Sequence, residues 1–131
     1  MLSVNGFRAA LRYLTMFKEG MICTVSLSFL TVVFGFLLAL VLALMRMSRI
    51  KPLSIFASIY VEVFRGTPMV LQAVFLYYGL PYFTDNAVRF DSIWMAAILV
   101  VSINTGAYMA ESVRGGIISI DPCLLYTSPS P

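Results

Sequence analysis

The stretch "VEVFRGTPMVLQAVFLYYGLP", Val61 to Pro81, sets a glutamate, an arginine, a glycine and a proline close together and then continues almost wholly apolar to a second proline. Charges and helix breakers are costly in a bilayer, where backbone and side-chain polar groups must find partners inside the protein. Thr67 followed by Pro68 reads as a helix start, with the threonine as N-cap and the proline at the first helical position, where its missing N–H costs nothing. A new helix or a sharp kink is therefore expected at Gly66, Thr67 and Pro68. From Pro68 to Leu80 a helix reaches only roughly 20 Å, short of a hydrocarbon core of about 30 Å. Leu53 to Phe64 must then contribute, as one kinked span or as a broken helix, and the kinked form is the preferred expectation.

The chain around this stretch is of the same kind. Of its 131 residues, 60% are hydrophobic and 11% charged, and the mean hydropathy is +0.92. Soluble domains are roughly half apolar and a quarter charged, so these values place the chain in the membrane class, with the lipid bilayer as its first partner. The net charge of +3 comes from Lys and Arg scattered singly or in short groups beside apolar runs. Membrane topology asks for that distribution, whereas nucleic-acid binding needs a basic face that is missing here. The cysteines, Cys23 and Cys123, have no partners at metal-ligand spacing and histidine is absent, so neither a metal nor a cofactor is expected.

Upstream, "MICTVSLSFLTVVFGFLLALVLALM", Met21 to Met45, carries no charge. At about 1.5 Å per residue it covers roughly 37 Å, enough to cross with some tilt. It is too long for a signal-peptide core, and it ends in "MRMSRIK" instead of a small-residue cleavage site. Thr24, Ser28, Thr31, Gly35 and Ala39 recur on one face of it, a stripe that lets a second helix approach closely; a polar pore lining is the alternative. Downstream, "SIWMAAILVVSINTGAYMA", Ser92 to Ala110, reads as a third span, with Asp91 as N-cap and the paired Gly115 and Gly116 as its end. The segment "GFRAALRYLTMFKEG" sets Phe7, Leu11, Leu14 and Phe17 against Arg8, Arg12 and Lys18, the pattern of a helix lying in the membrane surface. The expected architecture is all-α and integral to the membrane: an interfacial segment over 1–19, then three spans within 20–122. The link carrying Arg46, Arg49 and Lys51 argues for a cytoplasmic turn, and Asp85 and Asp91 for an external one, so the N-terminus is expected outside.

Several polar residues fall within these apolar runs. Glu62 and Arg65 are three apart and can pair on a helix; they serve either a functional site or a helix end. Asn104, Tyr108 and Glu111 share a face of the third span, where Asn104 needs partners inside the protein: a neighbouring helix or a substrate pathway. Gln72 adds a polar group after the break, and Glu111 and Arg114 repeat the three-residue pairing. Nothing in the sequence supplies a phosphate-binding loop, a dinucleotide turn or a nucleophile beside a base, so the chain is not expected to be an enzyme.

"YVEVFRGTPMVLQAVFLYYGLP", Tyr60 to Pro81, with "INTGAYMAESVRGGIISID", Ile103 to Asp121, resembles the membrane-spanning permease subunits of bacterial ABC importers for polar amino acids, the histidine, glutamine and arginine class. The resemblance extends over nearly everything from Gly20 to Pro122. It implies a type I permease bundle in the bacterial cytoplasmic membrane, working with a second permease subunit, a dimer of cytoplasmic ATPases and an external amino-acid-binding protein. It also implies a substrate pathway to which Glu62, Arg65, Gln72, Asn104, Tyr108 and Glu111 are candidates. Where the family continues into a Gly-Gln and Glu-Ala-Ala docking segment, this chain reads Pro122 and then "CLLYTSPSP". Residues 123–131 are similar to a translated sequencing adapter, a natural polar tail being the alternative, and the expectation is a permease fragment lacking two of about five spans. A competing function is a small three-span anchoring or regulatory subunit that transports nothing itself; a small oligomeric channel fits less well, because its polar face would be too sparse.

Overall fold

The computed structural model describes residues 4–120, and the chain divides into two units, 1–30 and 31–131. The expectations placed on Asp121, Pro122 and residues 123–131 lie outside the described residues. Every regular element among the described residues is helical.

In the first unit, α1 covers Val4–Arg12, and α2, Leu14–Met47, begins here before continuing into the second unit. Helix α2 starts well before the apolar run, because Leu14 to Gly20 contains no breaker strong enough to stop it. Phe7, Leu11, Leu14 and Phe17 are exposed, as are Arg8, Arg12 and Lys18. Thr24 is exposed too and donates to its own helix at Gly20 O, 2.8 Å away, while the Cys23 thiol is free and half-buried.

In the second unit α2 packs on α6, Ile93–Ile118, through small residues. Thr31, Gly35 and Ala39 of the predicted stripe are buried, together with Leu42 and Ala43. A Cβ on Gly35 would stand 3.0 Å from Thr105 Cβ, and one on Gly106 would stand 2.8 Å from Leu38 Cδ2. Backbones approach this closely only where side chains are small. Gly35 lies beside Thr105, Leu38 beside Gly106 and Arg46 beside Glu111, so α2 and α6 run parallel.

Between them come α3, Lys51–Gly66, and a broken continuation: α4, Met69–Val74, a π-helical turn at Phe75–Gly79, and α5, Leu80–Phe83. α3 and the continuation are bent by 106° about the break, which makes two separate helices where one kinked span was the preferred expectation. Thr67 also has the opposite role to the one expected. It is the C-cap of α3, its N–H and hydroxyl both bonded to Val63 O, while Pro68 is the N-cap residue of α4. The proline lacks the N–H that would have reached the Phe64 carbonyl, so the helix stops one residue short of it.

Two further boundaries differ from expectation. Ser92, not Asp91, caps α6, its hydroxyl accepting from Trp94 N at 3.3 Å; the shorter side chain sits at the correct offset. Gly115 and Gly116 do not end α6, which runs to Ile118. Glycine stops a helix by taking a left-handed conformation, and neither does so here; the positive φ values fall on Asp85 and Asn86, in the turn after α5. Two helices are long and apolar enough to cross a membrane, or three if the bent pair counts as one span.

Candidate functional site

The break leaves backbone carbonyls without helical donors, and side chains replace them. Gln72, one turn into α4 and 8% exposed, donates its Nε2 to Phe64 O at 3.0 Å, to Thr67 O at 3.1 Å and to Thr67 Oγ1 at 2.6 Å. Its Oε1 accepts from Asn104 Nδ2 of α6 at 3.1 Å, and the same Nδ2 reaches Phe64 O at 3.4 Å. One carboxamide therefore staples α3 to α4, and a second ties both to α6. The Tyr60 hydroxyl donates to Ile103 O at 3.1 Å, a further link between α3 and α6. This node lies among Val63, Phe64, Leu71, Phe75, Leu76 and Ile103, apolar neighbours that give unpaired amides no alternative partner.

The charged residues gather beside it on one carboxylate. Glu111 Oε2 is 2.5 Å from Arg46 Nη1 and 3.4 Å from Arg65 Nη1, and Oε1 is 3.7 Å from Arg114 Nη1. The Arg65 guanidinium also stacks 5.5 Å from the ring centroid of Tyr108, whose hydroxyl donates to Arg65 O at 3.4 Å. Arg46 is held from behind as well, since the Ser54 hydroxyl donates to its carbonyl at 3.0 Å. Glutamate 111 thus joins α2, α3 and α6 at once. Glu62, by contrast, is exposed and makes no ion pair among the described residues. The expected Glu62–Arg65 pair is not formed, because Arg65 turns to the stronger combination of Glu111 and the Tyr108 ring.

Of the residues singled out in the sequence, Gln72 and Asn104 meet in one node, Arg65, Tyr108 and Glu111 meet in another, and Glu62 joins neither. The sequence reading missed Arg46 as a partner, having counted it only as a topology charge, and missed that Thr67 accepts from Gln72. A signal for the second was present: a proline orphans the carbonyl four residues before it, and Gln72 is the first polar side chain able to reach back. No group of acidic, cysteine or histidine side chains able to hold a metal occurs among the described residues.

Fold and nodes together are those of a helical membrane protein with polar groups paired inside an apolar pack. The relatives make the class specific: the homologues of this chain are permeases of amino-acid ABC transporters. It is 36% identical over 115 residues to the arginine transport system permease protein ArtQ of Bacillus subtilis, covering 88% of this chain and 51% of that protein. To the L-cystine transport system permease protein TcyB of the same organism it is 39% identical over 101 residues, 77% of this chain and 42% of the relative. To the octopine transport system permease protein OccM of Rhizobium radiobacter it is 40% identical over 109 residues, 78% and 44% respectively. Among solved structures, the crystal structure of an amino acid ABC transporter with histidines superposes with a TM-score of 0.81 at 40% identity, over 89% of this chain and 53% of the other. The chain spans about half the length of the curated relatives it matches. No family model matches it.

Proposed function

We propose that this chain is a segment of the membrane-spanning permease subunit of an ATP-driven importer of polar amino acids, forming part of its translocation pathway. The observation that carries the reading is its kinship with permeases whose names differ in cargo and agree in role. The anchoring alternative has no comparable support. In this reading the ATPase dimer, a second permease subunit and an external binding protein are separate chains, and the protein hydrolyses nothing itself.

The parallel course of α2 and α6 favours three crossings. If both cross in the same direction, the chain between them must return, and α3 with α4 and α5 is the only helical path available among the described residues. The turn Ser48–Ile50, between Arg46 and Lys51, then lies in the cytoplasm, the turn after α5 lies outside, and the N-terminus starts outside. The Gln72–Asn104 node contributes to the wall of the translocation pathway. Glu111, paired with Arg46, stands at its inner end.

The test is a chimaera. Residues 20–120 replace the matching segment of the Bacillus subtilis arginine permease, in cells that supply that system's other subunits and lack its own permease. ATP-dependent amino-acid uptake above the empty-vector level is expected. Correct membrane insertion without uptake of any polar amino acid would remove the reading.

A further inference from the structure

The cluster around Glu111 holds more positive charge than its one carboxylate can neutralise. Three guanidinium groups, from α2, α3 and α6, lie within 3.7 Å of the two oxygens of Glu111, which leaves a formal surplus of two. Arg46 and Arg65 stand in the last turns of α2 and α3. The partial negative charge of about half a unit at each of those helix ends reduces the surplus without cancelling it. Hydrogen bonding is equally unbalanced. A carboxylate offers about four acceptor sites, while each arginine carries five N–H donors in a fixed fork. Arg46 is 15% exposed, but the side chains of Arg65 and Arg114 are 44% and 38% exposed, so their unused donors face outward.

The position of the cluster is also informative. Glu111 lies about two turns from the C-terminal end of α6, and a helix reaching from Ile93 to Ile118 is longer by several residues than a hydrocarbon core of about 30 Å. On the three-crossing arrangement this end is cytoplasmic and the cluster stands at the boundary between acyl chains and headgroups. Arg49, exposed in the turn between α2 and α3, and Lys51, exposed at the start of α3, add two cations at the same end of α2; Glu62, on the far half of α3, removes one. Basic sites between helices at that boundary attract anionic headgroups, and an arginine fork matches phosphate geometry in pairs of bonds.

We infer that Arg65 and Arg114, oriented by Glu111 and Arg46, bind the phosphate of an anionic phospholipid headgroup. The acyl chains run from that phosphate into the hydrocarbon core. This rests on the membrane arrangement of the proposed permease but not on its transport activity.

The experiment is native mass spectrometry of the purified 131-residue chain released from micelles. Phosphatidylglycerol and phosphatidylcholine with the same acyl chains are added in competition, and inorganic phosphate is added in a third arm. Phosphatidylglycerol is expected to be retained at least tenfold over phosphatidylcholine and to resist displacement by millimolar inorganic phosphate. The Arg65→Gln/Arg114→Gln pair should bring the two lipids within twofold, while Arg8→Gln/Arg12→Gln keeps the preference. If the glutamine pair loses helicity by circular dichroism, Arg65→Lys/Arg114→Lys decides: a preference reduced severalfold but not abolished is expected. Equal retention of both lipids by the unaltered chain, as would follow if the cluster served an acidic protein surface, overturns the inference. So does an undiminished preference in both double variants, or displacement by phosphate, which would assign a soluble anion. Loss of the lipid preference leaves the chimaera's uptake unaffected as evidence for the permease, and failed uptake with the preference intact leaves the lipid site standing.

Discussion

Pro68 and Gln72 act as a unit. The proline removes a donor from the Phe64 carbonyl, and the glutamine amide returns one at 3.0 Å. Truncating Gln72 to leucine leaves Phe64 O with only the longer Asn104 contact and leaves Thr67 O and Oγ1 without this donor. Gln72→Leu is expected to cost about 1–2 kcal/mol, read from unfolding in mixed detergent micelles. Asn104→Leu should cost less, about 0.6 kcal/mol, since Phe64 O keeps its nearer partner. The double variant should fall short of the sum of the two, because Gln72 Oε1 and Asn104 Nδ2 share one bond; strict additivity would show the node is not coupled. Both residues stood out in the sequence as polar groups in apolar runs. Their meeting did not, because nothing in local spacing says that a side chain in α4 folds back across the break to cap α3. Thr67 shows the same limit: a threonine before a proline fits a helix start and a helix end equally well, and only the position of Val63 O decides between them.

The helices themselves were legible from apolar runs, since length and absence of charge fix a span whatever its neighbours do. Their ends were less so. Asp91 and Ser92 both satisfy the chemistry of an N-cap, and a single residue of offset separates the right one from the wrong one. Glycines were the least legible, because the same residue serves as stop, as spacer or as neither. The structure separates these roles in a way that can be measured. A Cβ added to Gly35 would meet Thr105 Cβ at 3.0 Å and Ser102 O at 3.3 Å, neither of which can rotate away. Gly35→Leu should separate α2 from α6 and cost about 1–3 kcal/mol. Gly115 has nothing within 4 Å of an added Cβ and lies inside α6. Gly115→Ala should therefore stabilise the chain, by about 0.5–1 kcal/mol, through helix propensity alone. Thermal unfolding of the two variants in the same detergent checks both signs, and a destabilising Gly115→Ala would mean that the helix end is not free.

At the scale of the molecule, the sequence indicated membrane helices, a break at Gly66 to Pro68 and a set of polar candidates, but not the 106° bend or the convergence of three helices on Glu111. Both depend on side chains far apart in the chain. The three-crossing arrangement makes a prediction about sidedness. In a variant with Cys23 and Cys123 replaced by serine, a cysteine at Ser48 and one at Asn86 should label from opposite sides of intact cells with an impermeant maleimide. Labelling of both from one side would make α3 with α4 and α5 a re-entrant loop. Glu111→Gln should loosen the junction of α2, α3 and α6, since it leaves three guanidinium groups without their shared counter-charge. Hydrogen exchange at the amides of residues 42–47 and 61–66 is expected to rise together. A rise in one helix alone would indicate separate pairs instead of a common knot.

The π-helical turn at Phe75–Gly79 has a consequence for how the chain tolerates changes in its length. Such a turn accommodates one residue more than an α-helical turn without altering the direction in which later side chains point. Removing Tyr78 should therefore convert it to ordinary helix and leave Leu80 to Phe83 facing as they do now. The same deletion at Val100, within α6, would rotate everything beyond it by about 100° and set Asn104 and Glu111 facing away from their partners.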